Sequence, residues 1–170
     1  MSGNAAQLYD EDFVRWTEEQ ATALRQAAGL ANNLPLDWEN LAEEIDSLGR
    51  SQRNELGSRL ATIIEHLIKL ENSPASDPRP SWMDTVDRER ADVERLLQQS
   101  PSLRGEIGRM ISAETPRAAR LAVRSFLRHG EPASAAAVRV KGVGYTDDQV
   151  LGDWFPGARA DSLPENRQGT

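Results

Sequence analysis

Glu43, Glu44 and His66 offer two carboxylates and an imidazole within one segment of the chain. These groups ligate metals and move protons. A metal-dependent hydrolase or nuclease built around His66 would need further carboxylates from neighbouring elements. On one continuous helix, positions 43 and 66 lie about 34 Å apart, too far to share a ligand. Folding that helix back at Gly49-Arg50-Ser51 does not bring them level. Glu43 would sit about 9 Å before the bend and His66 about 23 Å after it. His66 also projects about 40° beyond Leu70, at the edge of an apolar stripe. That position favours a half-buried histidine bonding a neighbouring helix over a ligand or catalytic group. Glu43 and Glu44 are expected on a solvated face or beside Arg and Lys partners.

Arg117, Arg120, Arg124 and Arg128 follow one another at steps of three, four and four. This spacing aligns them on one helical face. Such a stripe suits phosphates or an acidic partner. The net charge of −7 and the lack of interleaved aromatic residues disfavour nucleic acid. Residues 1–50 hold ten acidic and three basic side chains, a balance of −7. Residues 104–141 hold three acidic and eight basic ones, a balance of +5. The expectation is that the stripe meets the acidic N-terminal helices, in the same chain or in another copy. No glycine-rich phosphate loop, G-x-S-x-G turn or H-E-x-x-H pair occurs, so no motif argues for an enzyme or requires a cofactor. His129, beside Gly130, is the only other histidine.

The elements that must position these side chains are helical. Trp38, Leu41, Ile45, Leu48, Leu56, Leu60, Ile63, Leu67 and Leu70 recur at helical steps with one longer gap. Asp37 stands before this stripe as an N-cap, and Glu39, Glu43 and Glu44 load the first turns with the charge the helix dipole favours. One helix over about 37–70 is predicted, with room for a bend at Gly49. A preceding helix over about 10–28 places Phe13, Trp16, Gln20, Ala23, Leu24 and Ala27 inward. A third runs from a capping box at Ser81 and Asp84 to about Gln99. Ser100-Pro101 opens a fourth, which Pro116 should end or kink. A short last helix follows Thr146, and 137–143 shows a weak strand alternation. The tryptophans at 16, 38, 82 and 154 fall near helix starts or corners and are expected to anchor the core.

The run D-W-E-N-L-A-E-E-I-x-S-L-G-R-S followed by S-R-L and H-L-I-K resembles the core of the bacterial domain of unknown function 29 family. Tyr9-Asp10-Glu11-Asp12-Phe13 with Trp16, Ser100-Pro101-Ser102-Leu103-Arg104, and Gly144-Tyr145-Thr146 through Asp153-Trp154-Phe155-Pro156 extend the likeness over roughly residues 9–156. The chain departs from the pattern at Glu71-Asn72, where an aromatic is common, and over 130–143. The resemblance implies an all-helical bacterial domain and supplies no catalytic residues.

The 170 residues suffice for one domain, with 38% hydrophobic and 28% charged side chains. No apolar run spans a bilayer, and no secretory start is visible, so membrane partners are not expected. Without cysteine there is no disulfide or thiolate site, and a cytoplasmic location is the default. The expectation is an all-α bundle of about five helices around one long central helix, spanning 9–156 between mobile tails at 1–8 and 157–170. Its expected role is non-enzymatic: binding a protein partner or a second copy of itself.

Overall fold

A computed structural model describes residues 3–30, 34–130 and 141–157. Its axis is a single helix of 35 residues at Trp38–Asn72, about 50 Å long. The Asp37 carboxylate accepts the Asn40 N–H at 3.2 Å and so fixes its start. The helix does not break at Gly49. That glycine is buried where the preceding helix crosses, and a Cβ there would run into Thr17 Oγ1. It serves close packing and makes no bend.

The elements in order are α1 (Gly3–Glu11), α2 (Phe13–Ala28), α3 (Trp38–Asn72), α4 (Arg79–Gln99), a 3₁₀ turn (Pro101–Glu106), α5 (Ile107–Arg128) and α6 (Asp147–Leu151). All the described elements are helical. α2, α4 and α5 pack on α3. The described part of the proposed N-terminal tail is instead helical, because α1 continues into the aromatic group of Tyr9, Phe13 and Trp16. The Ser81 capping box does not form. α4 starts two residues earlier at Arg79, where Pro78 already has helical torsions and Pro80 occupies an early position that needs no N–H. Pro116 lies inside α5 without ending it. It and Ser112, whose carbonyl loses its partner, are both exposed, so water replaces the missing bond. Of the alternation at 137–143, residues 137–140 lie outside the described residues and 141–142 form a turn. The proposed C-terminal tail lies outside them beyond residue 157.

The core sits on the second half of α3. Leu56, Leu60, Ile63, Ile64, Leu67 and Ile68 are fully buried against Val86, Val93 and Leu97 of α4 and Ile111, Ala122 and Phe126 of α5. The first half differs. Leu41 and Leu48 are 41% and 45% exposed, although the stripe places them in line with the core residues. The inward set expected for α2 is also displaced. Val14, Thr17 and Ala21 are the residues buried there, whereas Phe13, Trp16, Gln20, Leu24 and Ala27 are half-buried and Ala23 is exposed.

The cause is the length of α4. It runs antiparallel to α3: the Arg79 guanidinium donates to Leu70 O at 2.6 Å, Arg59 pairs with Glu89 at 3.1 Å, and Gln52 meets Gln99 at 3.5 Å. Gln99 is its last residue. With 35 residues in α3 and 21 in α4, 14 residues of α3, about 21 Å, outrun the cover.

Two polar locks complete the bundle. The buried Asp12 carboxylate accepts the N–H of Arg15 and both the N–H and hydroxyl of Ser102 at 2.7–3.0 Å. Ser100, also buried, accepts the Val14 N–H at 3.1 Å and donates to Gln52 Oε1 at 2.7 Å. At the other side Arg90, with its side chain 9% exposed, donates to the carbonyls of Gln149, Val150 and Trp154 at 2.8–3.0 Å. Its guanidinium lies 4.8 Å from the centre of the Phe155 ring. Burial lowers the Arg90 pKa, which Asp87 and Asp153 partly oppose. The Thr146–Gln149 capping box seats α6, and Tyr145 donates to Glu71 at 2.8 Å.

Candidate interaction surface

Beyond the end of α4 the α2–α3 hairpin leaves a strip of incompletely buried apolar side chains on each helix, and helical spacing implies a shallow groove between them. One wall is the half-buried strip Phe13, Trp16 and Leu24 of α2. The other is Leu41, Ile45 and Leu48 of α3, which helical spacing keeps within about 60° of one another. At its head, Tyr9, Asp10 and Phe13 share a recess with Gln52 and Gln99, the residues where α4 stops. The groove therefore continues the track that α4 fills farther along α3. A third helix would bury these side chains as α4 buries Leu60 and Ile63.

The charges of the hairpin divide by face. Glu43 pairs with Arg50 at 2.5 Å and Arg25 at 3.7 Å, while Asp46 lies 2.9 Å from Arg50 and 3.3 Å from Arg25. Helical spacing sets this network about 140–200° around α3 from Leu41, away from the groove. Glu43 is thus an ion-pair partner, as expected. Glu44 is exposed, about 60° from Leu41, and has no ion pair among the described residues. Neither carboxylate approaches His66.

His66 is half-buried, and its Nδ1 lies 2.9 Å from Thr62 O one turn earlier in the same helix. Burial lowers its pKa, with Lys69 acting the same way; the Thr62 carbonyl, Glu65 and Glu89 oppose the shift. Glu65 is committed to Lys69 at 2.5 Å and Glu89 to Arg59. Among the described residues no three His, Asp or Glu side chains gather as a metal set. Among the described residues, then, no metal set accompanies His66 for the hydrolase or nuclease reading.

The arginine stripe forms an exposed surface that does not pair with the acidic N-terminal helices of its own chain among the described residues. Arg117, Arg120, Arg124 and Arg128 are all exposed. Arg117 pairs with Glu114 of its own helix at 3.4 Å, and the other three have no ion pair among the described residues. The acidic N-terminal helices take their cations elsewhere: Glu18 pairs with Arg53, and Glu43 and Asp46 with Arg25 and Arg50. These arginines lie on α2 and α3 themselves, so the stripe is left outside the contact.

A cleft of about 780 Å³ opens at the far end of α3, lined by Ser76, Asp77, Trp82, Phe126 and His129 among others. His129 Nδ1 lies 2.7 Å from Ser125 O, and Asp77 accepts from the Ser76 hydroxyl at 3.2 Å. No hydroxyl, imidazole and carboxylate are seen joined in series there among the described residues.

The profile of the family described as "Domain of unknown function DUF29" matches residues 8–153. The chain belongs to this family. A solved structure of another protein, an alpha-helical protein of unknown function from Rhodospirillum rubrum ATCC 11170, is similar at 27% identity with a TM-score of 0.67. The match covers 85% of this chain and 89% of that one. No curated protein matches. The motifs of this DUF29 domain that carried the resemblance meet as structure. Asp12 of the first binds Ser102 of the second, and Arg90 holds the third. No described helix of this DUF29 domain is long and apolar enough to cross a membrane.

Sequence reasoning passed over Asp10 and treated the groove's apolar residues as core. The usable signal was length: a stripe 33 residues long faced a following helix of about 20.

Proposed function

We propose that this domain is a helical interaction module that binds a protein partner through the α2–α3 hairpin. The observation that carries this reading is the exposure of Leu41 and Leu48 in register with the buried core stripe. With the half-buried Phe13, Trp16, Leu24 and Ile45 they offer incompletely covered apolar surface on both helices, the kind that marks an interaction site. Likeness to a Rhodospirillum rubrum protein supports a bacterial setting, and the cysteine-free composition fits the cytoplasm.

The test is an affinity pull-down from the source cell, read by mass spectrometry, with wild type beside a Leu41→Asp/Leu48→Asp variant. The variant should lose the wild-type partner while keeping its helical content. Both sites are exposed, so a stability change of under about 0.5 kcal/mol each is expected. Leu60→Ala, in the core, should cost about 2–5 kcal/mol. Partners retained in full by the hairpin variant would refute the assignment of the surface.

A further inference from the structure

We infer that the hairpin groove seats an amphipathic helix of another protein, about three turns long, with Lys or Arg flanking its apolar stripe. This rests on the interaction-module reading and adds the chemistry of the partner. The shape argument comes from α4. That helix lies in the same track on α3 until Gln99, opposite Gln52. From Gln52 to Leu41 the track that the other described helices leave uncovered is about 17 Å long, three turns of helix.

Charge selects the occupant. Asp10 sits in the recess at the groove head, where no Lys or Arg joins it. Glu44 and Asp37 flank Leu41, and Arg25 and Arg50 are held on the opposite face by Glu43 and Asp46. The groove side therefore presents carboxylates over an apolar floor. A second copy's hairpin would bring the same carboxylates face to face, since residues 13–50 hold seven acidic and three basic side chains, a balance of −4. A second copy's α5 has the right charge but the wrong surface. Its apolar face is buried at Ile111, Ala118, Ala122 and Phe126, and Leu127 is its one large exposed hydrophobic residue. A basic helix with its own free apolar stripe satisfies both requirements.

Fluorescence anisotropy can test this with three synthetic peptides of about 15 residues. One carries Leu at helical spacing with Lys elsewhere, the second replaces Lys by Glu, and the third places Pro at the centre of the Lys peptide. The Lys peptide should bind and the other two should bind at least about tenfold more weakly. Leu41→Asp/Leu48→Asp should weaken the Lys peptide at least about tenfold, and Glu44→Lys severalfold. Arg120→Glu/Arg124→Glu serves as the control and should leave its affinity unchanged. Circular dichroism of each variant checks that folding is intact. Equal binding of the Lys peptide by wild type and the double leucine variant would mean attraction to acidic surface anywhere, and overturns the inference. Equal binding of the Glu peptide overturns the charge selection. Sedimentation of wild type as a dimer that the leucine variant abolishes would assign the groove to a second copy. That outcome overturns this inference and leaves the interaction module standing.

Discussion

Asp12 and Ser102 stand 90 positions apart in the chain, yet the carboxylate of one accepts the N–H of the other at 2.7 Å. Asp12 also accepts the Arg15 N–H at 3.0 Å, so a single side chain caps α2 and the turn leading into α5. Ser100, which stands at the cap position of its own segment, sends its hydroxyl to Gln52 instead. Asp12→Ala removes one N-cap and two charged hydrogen bonds and should lower stability by about 2–4 kcal/mol. Asp12→Asn keeps the acceptor geometry without the charge and should cost less. Urea denaturation of both variants is the check, and an Asp12→Ala midpoint equal to that of wild type would dismiss the double cap.

Gly49→Ala sets helix propensity against packing. Propensity alone favours alanine by about 1 kcal/mol inside a helix. The added Cβ would meet Thr17 Oγ1, which is fully buried and bonded to Val14 O at 2.7 Å. Thr17 cannot withdraw without breaking that bond, so overpacking should win and the variant should be destabilised by about 1–3 kcal/mol. Thr17→Ser/Gly49→Ala should not recover the loss, because the hydroxyl remains, whereas Thr17→Ala/Gly49→Ala should recover part of it. Thermal melts of the four proteins decide the sign.

His66 links stability to pH. Its pKa falls below the ordinary 6.5 on folding, chiefly through burial. The unfolded chain therefore binds the proton more readily. The stability this residue contributes is present above about pH 6.5 and is lost as pH falls through the lowered folded value. His66→Gln should flatten that part of the stability–pH curve between neutrality and mild acid. A variant curve parallel to the wild-type one would show that other groups cause the loss.

The arginine stripe offers the opposite kind of test. Arg120 and Arg124 are exposed and have no ion pair among the described residues. Arg120→Glu/Arg124→Glu should shift stability by less than about 0.5 kcal/mol per site. Wild type should show no tight duplex DNA binding at moderate salt. Should it bind, with a log–log salt slope of about −3 to −4 that the double reversal removes, the stripe is a phosphate track.

The parts of the fold legible in the sequence are those set by local chemistry. Asp37 before a stripe of period 3.6 announced α3, and Thr146 marked the start of α6, because caps and stripes are written within a few residues. The Asp12–Ser102 cap was illegible because its two halves are joined only by tertiary structure. That Pro116 does not end α5 was hidden for a related reason: Ser112, whose carbonyl it deprives of a partner, is exposed only as the tertiary structure leaves it so. The groove shows the limit of periodicity most plainly. Leu41, Leu48, Phe13 and Trp16 carry the same pattern as Leu60 and Leu67, and that pattern reports a preference for burial without saying which chain provides the cover. Glu43 is one of the ion-pair partners expected, and His66 is half-buried as its helical angle implies, but it bonds Thr62 of its own helix and not a neighbouring helix. The arginines share one exposed face as aligned, while within the chain the acidic helices pair with Arg25, Arg50 and Arg53.

Arg90 is made long before the carbonyls it binds: Gln149, Val150 and Trp154 follow it by about 60 positions. During synthesis the α3–α4 pair can form while this guanidinium still has only water for company. It can be withdrawn from solvent favourably only once the stretch through Trp154 has emerged and folded over it. A ribosome stalled before that point would display a nearly complete bundle with a hydrated charge where its last seam should close. The burial of Arg90 is thereby tied to the arrival of α6, the last of the described helices, and a nascent chain lacking it presents an open seam to the cell's chaperones and proteases.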